Sequence, residues 1–154
     1  MPSDFMHQAI LLARENIRNG GGPFAALIVK GGAVVATGAN RVTAMNDPTA
    51  HAEIVAIREA CKKLQSFQLD DCEIYTTCEP CPMCLGAIYW ARPARIYFAA
   101  TASDAAAAGF DDAFIYDELE TPFPERRIPM AGIQRTEALV IFQEWLAKSD
   151  KTPY

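Results

Sequence analysis

The spacing of apolar residues along the chain predicts helices that alternate with strands. Apolar residues recur every three or four positions from Met6 to Ile17, which indicates an amphipathic helix. Two apolar, β-branched runs then flank Gly31 and Gly32, as in a β-hairpin with a tight turn. These segments open the chain as helix, strand and strand.

The rest of the chain continues the alternation. Pro48 is expected to open a helix that runs toward Leu64, and a last helix is expected from about Glu137 to Lys148. Between them, "CEIYTT" and "ARIYFAA" are predicted strands on either side of a short helix, "PCPMCLGAIYWA". The pattern therefore predicts a single α/β domain over residues 1–154, with helices on both faces of a mixed sheet.

Composition and charge limit the compartment and the partners. Five cysteines are an odd number for a disulfide framework, and the start of the chain has no pattern of an export signal. We therefore expect reduced thiols in the cytoplasm. No apolar run approaches the roughly 18 residues of a membrane span, and a net charge of −5 disfavours a nucleic-acid partner.

A candidate metal site stands in the middle of the chain. His51 in "PTAHAE" precedes Cys81 and Cys84 in "PCPMC", and zinc prefers imidazole and thiolate ligands. Three protein ligands leave the fourth zinc position open for water, as catalytic sites require. The prolines on both sides of Cys81 favour a helix start, whose dipole helps keep thiolates deprotonated.

The spacing of His51 and Glu53 raises a geometric difficulty. At about 100° per residue, these two side chains would point to nearly opposite sides of an ideal helix. They can converge only if the metal lies off the end of the helix.

The other possible ligands have simpler interpretations. Cys78 ends the predicted strand and is expected to pack beside the site, although a truncated iron-sulfur motif is an alternative. Cys61 and Cys72 are expected to be buried, and His7 to lie on the polar side of the first helix.

The order H-x-E and then P-C-x-x-C is the motif of zinc-dependent base deaminases, in which the glutamate is the proton carrier. The resemblance extends further. "GGPFAALIVK", "NDPTAHAEIVAIR", "YTTCEPCPMCLGAIYWARP", "AAAGFDDAFIY" and the terminal tyrosine resemble the small bacterial guanine deaminases of the cytidine and deoxycytidylate deaminase superfamily. This match covers nearly the whole chain.

The resemblance implies a fold and a reaction. The fold would be a three-layer α-β-α cytidine deaminase-like domain with a mixed sheet of about five strands. One Zn²⁺ per subunit, held by His51, Cys81 and Cys84, would yield hydroxide at neutral pH. With Glu53 as proton shuttle, the hydroxide would convert guanine to xanthine and ammonia.

The resemblance also implies contacts to a purine. Asn40 would face the far edge of the base, and Asp112 in "GFDD" would accept hydrogen bonds from its N–H groups. Asp111 is an alternative to Asp112. The remaining contacts would come from the backbone N–H of Ala52 and from the rings of Phe24 and Trp90, which could equally be core residues.

The proline-rich connector and the tail are expected to reach a second subunit. In the proteins that the chain resembles, the C-terminal segment crosses to the partner, and its last tyrosine closes the partner's active site. The resemblance therefore implies a swapped homodimer in which about residues 121–154 are exchanged and Tyr154 acts in trans.

Three other functions are compatible with the sequence. A tRNA adenosine deaminase has a similar zinc core but would need a basic face for RNA. A cytosine or nucleoside deaminase would use the same zinc chemistry on another base. A zinc-stabilised binding module would need neither Glu53 nor an open metal position.

Overall fold

The computed structural model describes residues 1–154, which form two compact units, residues 1–112 and 113–154. The first unit contains α1 (Pro2–Arg18), β1 (Ala25–Lys30), β2 (Ala33–Ala39), α2 (Val42–Met45) and α3 (Ala52–Leu64). It continues with β3 (Cys72–Cys78), α4 (Pro82–Ala91), β4 (Arg95–Ala100) and α5 (Ala102–Ala107). None of the helices in either unit is long and apolar enough to cross a lipid bilayer.

The four strands form one mixed sheet in the order β2-β1-β3-β4. β1 pairs antiparallel with both β2 and β3, whereas β3 and β4 are parallel. The connection between β3 and β4 contains α4, because a parallel pair needs a crossover segment. The carboxyl end of β3 therefore leads directly into the segment that carries Cys81 and Cys84.

Side chains on the two faces of the sheet build two separate cores. On one face, Ile28 and Ile74 pack with a row of alanines from α3 and with Ile88 of α4. On the other face, Leu27 and Tyr75 pack with residues of α1. Neighbouring residues of a strand point to opposite faces, so these two cores confirm the predicted arrangement with helices on both sides of the sheet.

The sheet contains four strands, which corrects our estimate of about five. All four segments that the sequence marks as strands do form them. No fifth strand follows in the first unit, because after β4 the chain enters α5. Thr101 and Asp104 form a capping box at the start of that helix, and the alanines that follow favour helix.

The second unit contains α6 (Ala113–Glu120), a short 3₁₀ turn (Phe123–Glu125) and α7 (Arg135–Ala147). Arg126 donates a hydrogen bond to the Thr121 carbonyl at 2.9 Å and lies 4.7 Å from the centre of the Phe123 ring. The proline-rich connector that we predicted therefore has one short turn of its own. α7 has no buried residue.

Gly38 allows β2 to approach the first turns of α3 closely. A Cβ added at Gly38 would stand 2.5 Å from the backbone nitrogen of Ala56 and would collide with the Ala52 carbonyl oxygen. Neither neighbour is a flexible side chain, so the helix itself would have to move.

Gly38→Ala should therefore lower the free energy of unfolding by about 1–3 kcal/mol, the usual cost of overpacking. Gly86→Ala is the matched control, because Gly86 is exposed in α4 with no atom within 4 Å of an added Cβ. The control should gain about 0.5–1 kcal/mol, since alanine favours helix. Urea unfolding measures both variants, and equal stability of the two would contradict this account of Gly38.

Candidate metal and active site

Two helices begin at the same place, and each is preceded by a potential metal ligand. His51 is the N-cap of α3 and Cys81 is the N-cap of α4, both with extended backbone conformations. An N-cap side chain lies beyond the end of its helix, near the free N–H groups and the positive end of the dipole. The two helix ends therefore present His51 and Cys81 to one point, with Cys84 one turn into α4.

The distances between the three side chains fit a zinc ion. His51 Nδ1 lies 3.5 Å from Cys81 Sγ and 3.5 Å from Cys84 Sγ, and all three ligand atoms lie within 4.8 Å of one another. With usual zinc bond lengths, tetrahedral geometry separates a thiolate sulfur from an imidazole nitrogen by about 3.6 Å. The donor set and its spacing are thus those of a three-ligand zinc site.

The three candidate ligands differ in how readily they lose a proton. Hydrogen bonding of Cys81 with the side chain and the backbone N–H of Cys84, together with His51, lowers the pKa of Cys81 to about 4. The side-chain hydrogen bond with Cys81 and burial raise the pKa of Cys84, and the hydrogen bond to Cys81 raises the pKa of His51. Zinc needs thiolates, so its binding must displace the proton on Cys84.

The other cysteines lie outside this group of ligands. Cys78 Sγ points to the carbonyl of Thr101, 3.6 Å away, and burial raises the pKa of its thiol to about 11. Burial also raises the pKa of Cys61 and of Cys72. Cys78 packs beside the site, and the structure does not assemble an iron-sulfur ligand set.

Glu53 reaches the cluster from the first turn of α3. Its side chain is only 6% exposed, and burial raises the pKa of the carboxyl. Oε1 accepts a hydrogen bond from Thr76 Oγ1 at 3.0 Å, and Oε2 accepts one from Cys84 Sγ at 3.4 Å. One carboxyl oxygen therefore faces the sheet and the other faces the ligand cluster.

The spacing difficulty between His51 and Glu53 disappears because α3 begins later than predicted. The helix starts at Ala52, not at Pro48, and His51 precedes it. Asp47 Oδ1 accepts hydrogen bonds from both the amide and the hydroxyl of Thr49, at 2.8 and 2.7 Å. This local turn competes with helix, so the angular rule for two residues of one helix does not apply to His51.

Asn40 follows β2 and is anchored from two sides. Its Oδ1 accepts a hydrogen bond from the Val42 amide at 3.3 Å. Asn16 of α1 donates from Nδ2 to the carbonyls of Asn40 and Gly22, at 2.9 and 2.8 Å. Sequence reasoning missed Asn16, because one asparagine on the polar side of a helix carries no signal.

The remaining predicted contact residues of the first unit have different surroundings. Burial, followed by the charge of Cys81, raises the pKa of Asp112, and the charge of Asp112 acts in turn on His51. Phe24 packs edge-on against Phe110, with 4.9 Å between ring centres, and also touches the core. Trp90 lies in the last turn of α4 with 65% of its surface exposed.

Ala52 is fully buried at the start of α3. Its N–H is one of the first-turn N–H groups that have no acceptor within the helix. Tyr154 belongs to the second unit and is 73% exposed. The structure thus gathers the three candidate ligands and Glu53. The roles of the predicted contacts to the base, including Asp112, Trp90 and Tyr154, stay predictions.

Comparison with known proteins agrees with this geometry. Residues 1–100 match the model of the cytidine and deoxycytidylate deaminase zinc-binding region. The chain belongs to this deaminase family. The predicted zinc cofactor and the deaminase fold are thereby confirmed, and the ligand cluster and Glu53 lie within the matched residues.

Known deaminases match this chain over different shares of its length. The guanine deaminase of Bacillus subtilis (strain 168) is 57% identical over 151 residues, which are 97% of both chains. Its X-ray structure superimposes with a TM-score of 0.96 and covers 99% of this chain and 98% of that one, at 56% identity. The tRNA-specific adenosine deaminase of Aquifex aeolicus (strain VF5) is 41% identical over 96 residues, 62% of this chain and 64% of its own. The sequence resemblance to guanine deaminases is confirmed.

Proposed function

We propose that this deaminase hydrolyses guanine to xanthine and ammonia. The observation that carries the proposal is the extent of similarity to the Bacillus subtilis guanine deaminase, which covers 97% of the chain at 57% identity. The zinc-binding model alone ends at residue 100, before Asp112 and the tail. The similarity therefore includes the part of the chain in which we expect base recognition.

A tRNA adenosine deaminase is less well supported. The Aquifex aeolicus relative matches only 62% of the chain. The net charge of −5 also gives this chain the wrong sign for a protein that binds RNA phosphates.

Residues of the first unit can perform the proton transfers. His51 Nδ1, Cys81 Sγ and Cys84 Sγ would hold zinc, which supplies a Lewis acid that makes water nucleophilic near neutral pH. Glu53 takes a proton from the attacking water at Oε2, the oxygen on the ligand side, and passes it to a ring nitrogen of guanine. The carboxylate then takes the proton of the hydroxyl group that has added to the ring carbon and gives it to the amino group. The carbon–nitrogen bond breaks, ammonia leaves, and the carbonyl of xanthine forms. The raised pKa of Glu53 suits a group that both accepts and returns protons.

Recognition of guanine would combine an acceptor with a donor. Asp112 would accept from the N–H groups of the base, with Asp111 as the alternative, and Asn40 would donate from its NH₂ group. The Ala52 N–H and the rings of Phe24, Trp90 and Tyr154 would complete the pocket.

The zinc-loaded protein should release ammonia from guanine much faster than from adenine, cytosine, cytidine or an adenosine-bearing tRNA. Glu53→Gln is the control, since it keeps the size of the side chain but cannot carry the proton. The variant should retain about one zinc per subunit and lose at least about 100-fold in kcat, in line with general acid–base catalysis. An ammonia assay and zinc analysis on the same samples provide both readouts.

Each departure from this result has its own meaning. Rapid release from tRNA or a pyrimidine would refute the guanine assignment. Full activity of Glu53→Gln would refute the role of Glu53, and a protein inert toward every base would favour a zinc-stabilised binding module.

We also propose a homodimer in which about residues 121–154 are exchanged and Tyr154 acts in trans. Support comes from α7, whose apolar side chains remain exposed within the chain, including Ile141, Phe142 and Leu146 at 64–71%. A second copy would cover these side chains. We place the dimer in the cytoplasm, where the five cysteines of each subunit, none of which forms a disulfide, would stay reduced.

A complementation experiment tests the exchange. Glu53→Gln lacks the base and Tyr154→Ala lacks the tail ring, so each variant alone should be nearly inactive. If the two are unfolded together and refolded as a mixture, mixed dimers contain one site with an intact Glu53 and a partner tail with an intact Tyr154. The mixture should regain about a quarter of wild-type kcat, since half of the dimers carry one working site. No gain above the separate variants would contradict action in trans.

A further inference from the structure

Thr76 is a buried hydroxyl beside the proposed proton carrier. It lies in β3 with only 2% of its surface exposed, paired with Ala26 of β1 and Phe98 of β4. Because β1 and β4 pair with β3 on its two sides, the backbone that carries the Thr76 side chain is held in place.

The two carboxyl oxygens of Glu53 have different neighbours, and the Thr76 hydroxyl is the neighbour of one of them. Thr76 Oγ1 lies 3.0 Å from Oε1, whereas Oε2 lies 3.4 Å from the sulfur of Cys84. If Oε1 is held by the sheet, Oε2 is the oxygen that faces the ligand cluster. A carboxyl without this anchor could rotate and present neither oxygen correctly.

Thr76 also ties Glu53 to the segment that precedes α4. Oγ1 lies 3.1 Å from the carbonyl of Cys78, the last residue of β3. The same hydroxyl therefore contacts the base on α3 and the strand end that leads to Cys81 and Cys84. No buried side-chain nitrogen or oxygen lacks a hydrogen-bond partner in the structure, and Thr76 Oγ1 is the partner of Glu53 Oε1.

We propose that Thr76 is a positioning residue that orients Glu53 for proton transfer, an inference that rests on the proposed deaminase function. The hydrogen bonds of the Thr76 hydroxyl go to Glu53 and to Cys78, neither of which is a proposed metal ligand or a proposed contact to the base. Loss of the hydroxyl should therefore reduce kcat while the KM for guanine and the zinc content change little.

Thr76→Val keeps the shape of the side chain and removes the hydroxyl, whereas Thr76→Ser keeps the hydroxyl. We expect Thr76→Val to lose about 10- to 100-fold in kcat, as misplaced catalytic groups do, with KM within about twofold of wild type. Thr76→Ser should recover most of the loss. In the Glu53→Gln background, Thr76→Val should not lower the residual rate further, because Thr76 acts through Glu53.

An unchanged kcat in Thr76→Val, no rescue by serine, or an equal loss in the Glu53→Gln background would each overturn the proposal. If Thr76→Val does not fold, the comparison of Thr76→Ser with Thr76→Ala takes its place. Crystal structures of the zinc-loaded variants give a readout that needs no substrate. The Glu53 carboxyl should keep one position in wild type and Thr76→Ser and leave it when the hydroxyl is absent. The same position in all variants would overturn the proposal even if guanine proves not to be the substrate.

Discussion

The close packing of α3 against the sheet determines where the functional groups lie. Ala52, Ala56 and Ala60 are fully buried on the side of α3 that meets the strands, and Gly38 lies beneath the first turns. Because these residues are small, the helix backbone approaches the sheet closely. The N-terminus of α3 carries both His51 and Glu53, so a shift of the helix would move a metal ligand and the proton carrier together.

This arrangement brings several electron-rich acceptor groups together at the N-termini of α3 and α4. Glu53, Cys81 and Cys84 bring carboxyl oxygen and sulfur atoms close together, and the charge of Asp112 acts on His51. Burial raises the pKa of Glu53 and of Asp112, since low polarity disfavours their charged forms. The N-termini of α3 and α4 supply partial positive charge, and a bound cation would supply the rest. The geometry and the charge both favour zinc at this point.

The sequence was sufficient for the parts of the site that depend on residue type and spacing. His51, Cys81 and Cys84 stand in a motif, and the proline after Cys81 indicates where α4 begins. The start of α3 was not predictable from apolar spacing, because the turn made by Asp47 and Thr49 displaces it. Thr76 and Asn16 also escaped prediction, since their roles depend on partners distant in the sequence, Glu53 and Asn40. Side chains that act through such contacts are visible only once the strands and helices are packed.

The central claim is that three side chains hold a zinc ion with one position open to water. X-ray absorption at the zinc edge of the loaded protein tests it most directly, because sulfur and lighter ligands differ in bond length. The account predicts two sulfur ligands at about 2.3 Å and two nitrogen or oxygen ligands at about 2.0–2.1 Å, one from His51 and one from water. Three or four sulfur ligands would contradict it, since Cys78 or another thiol would then close the site.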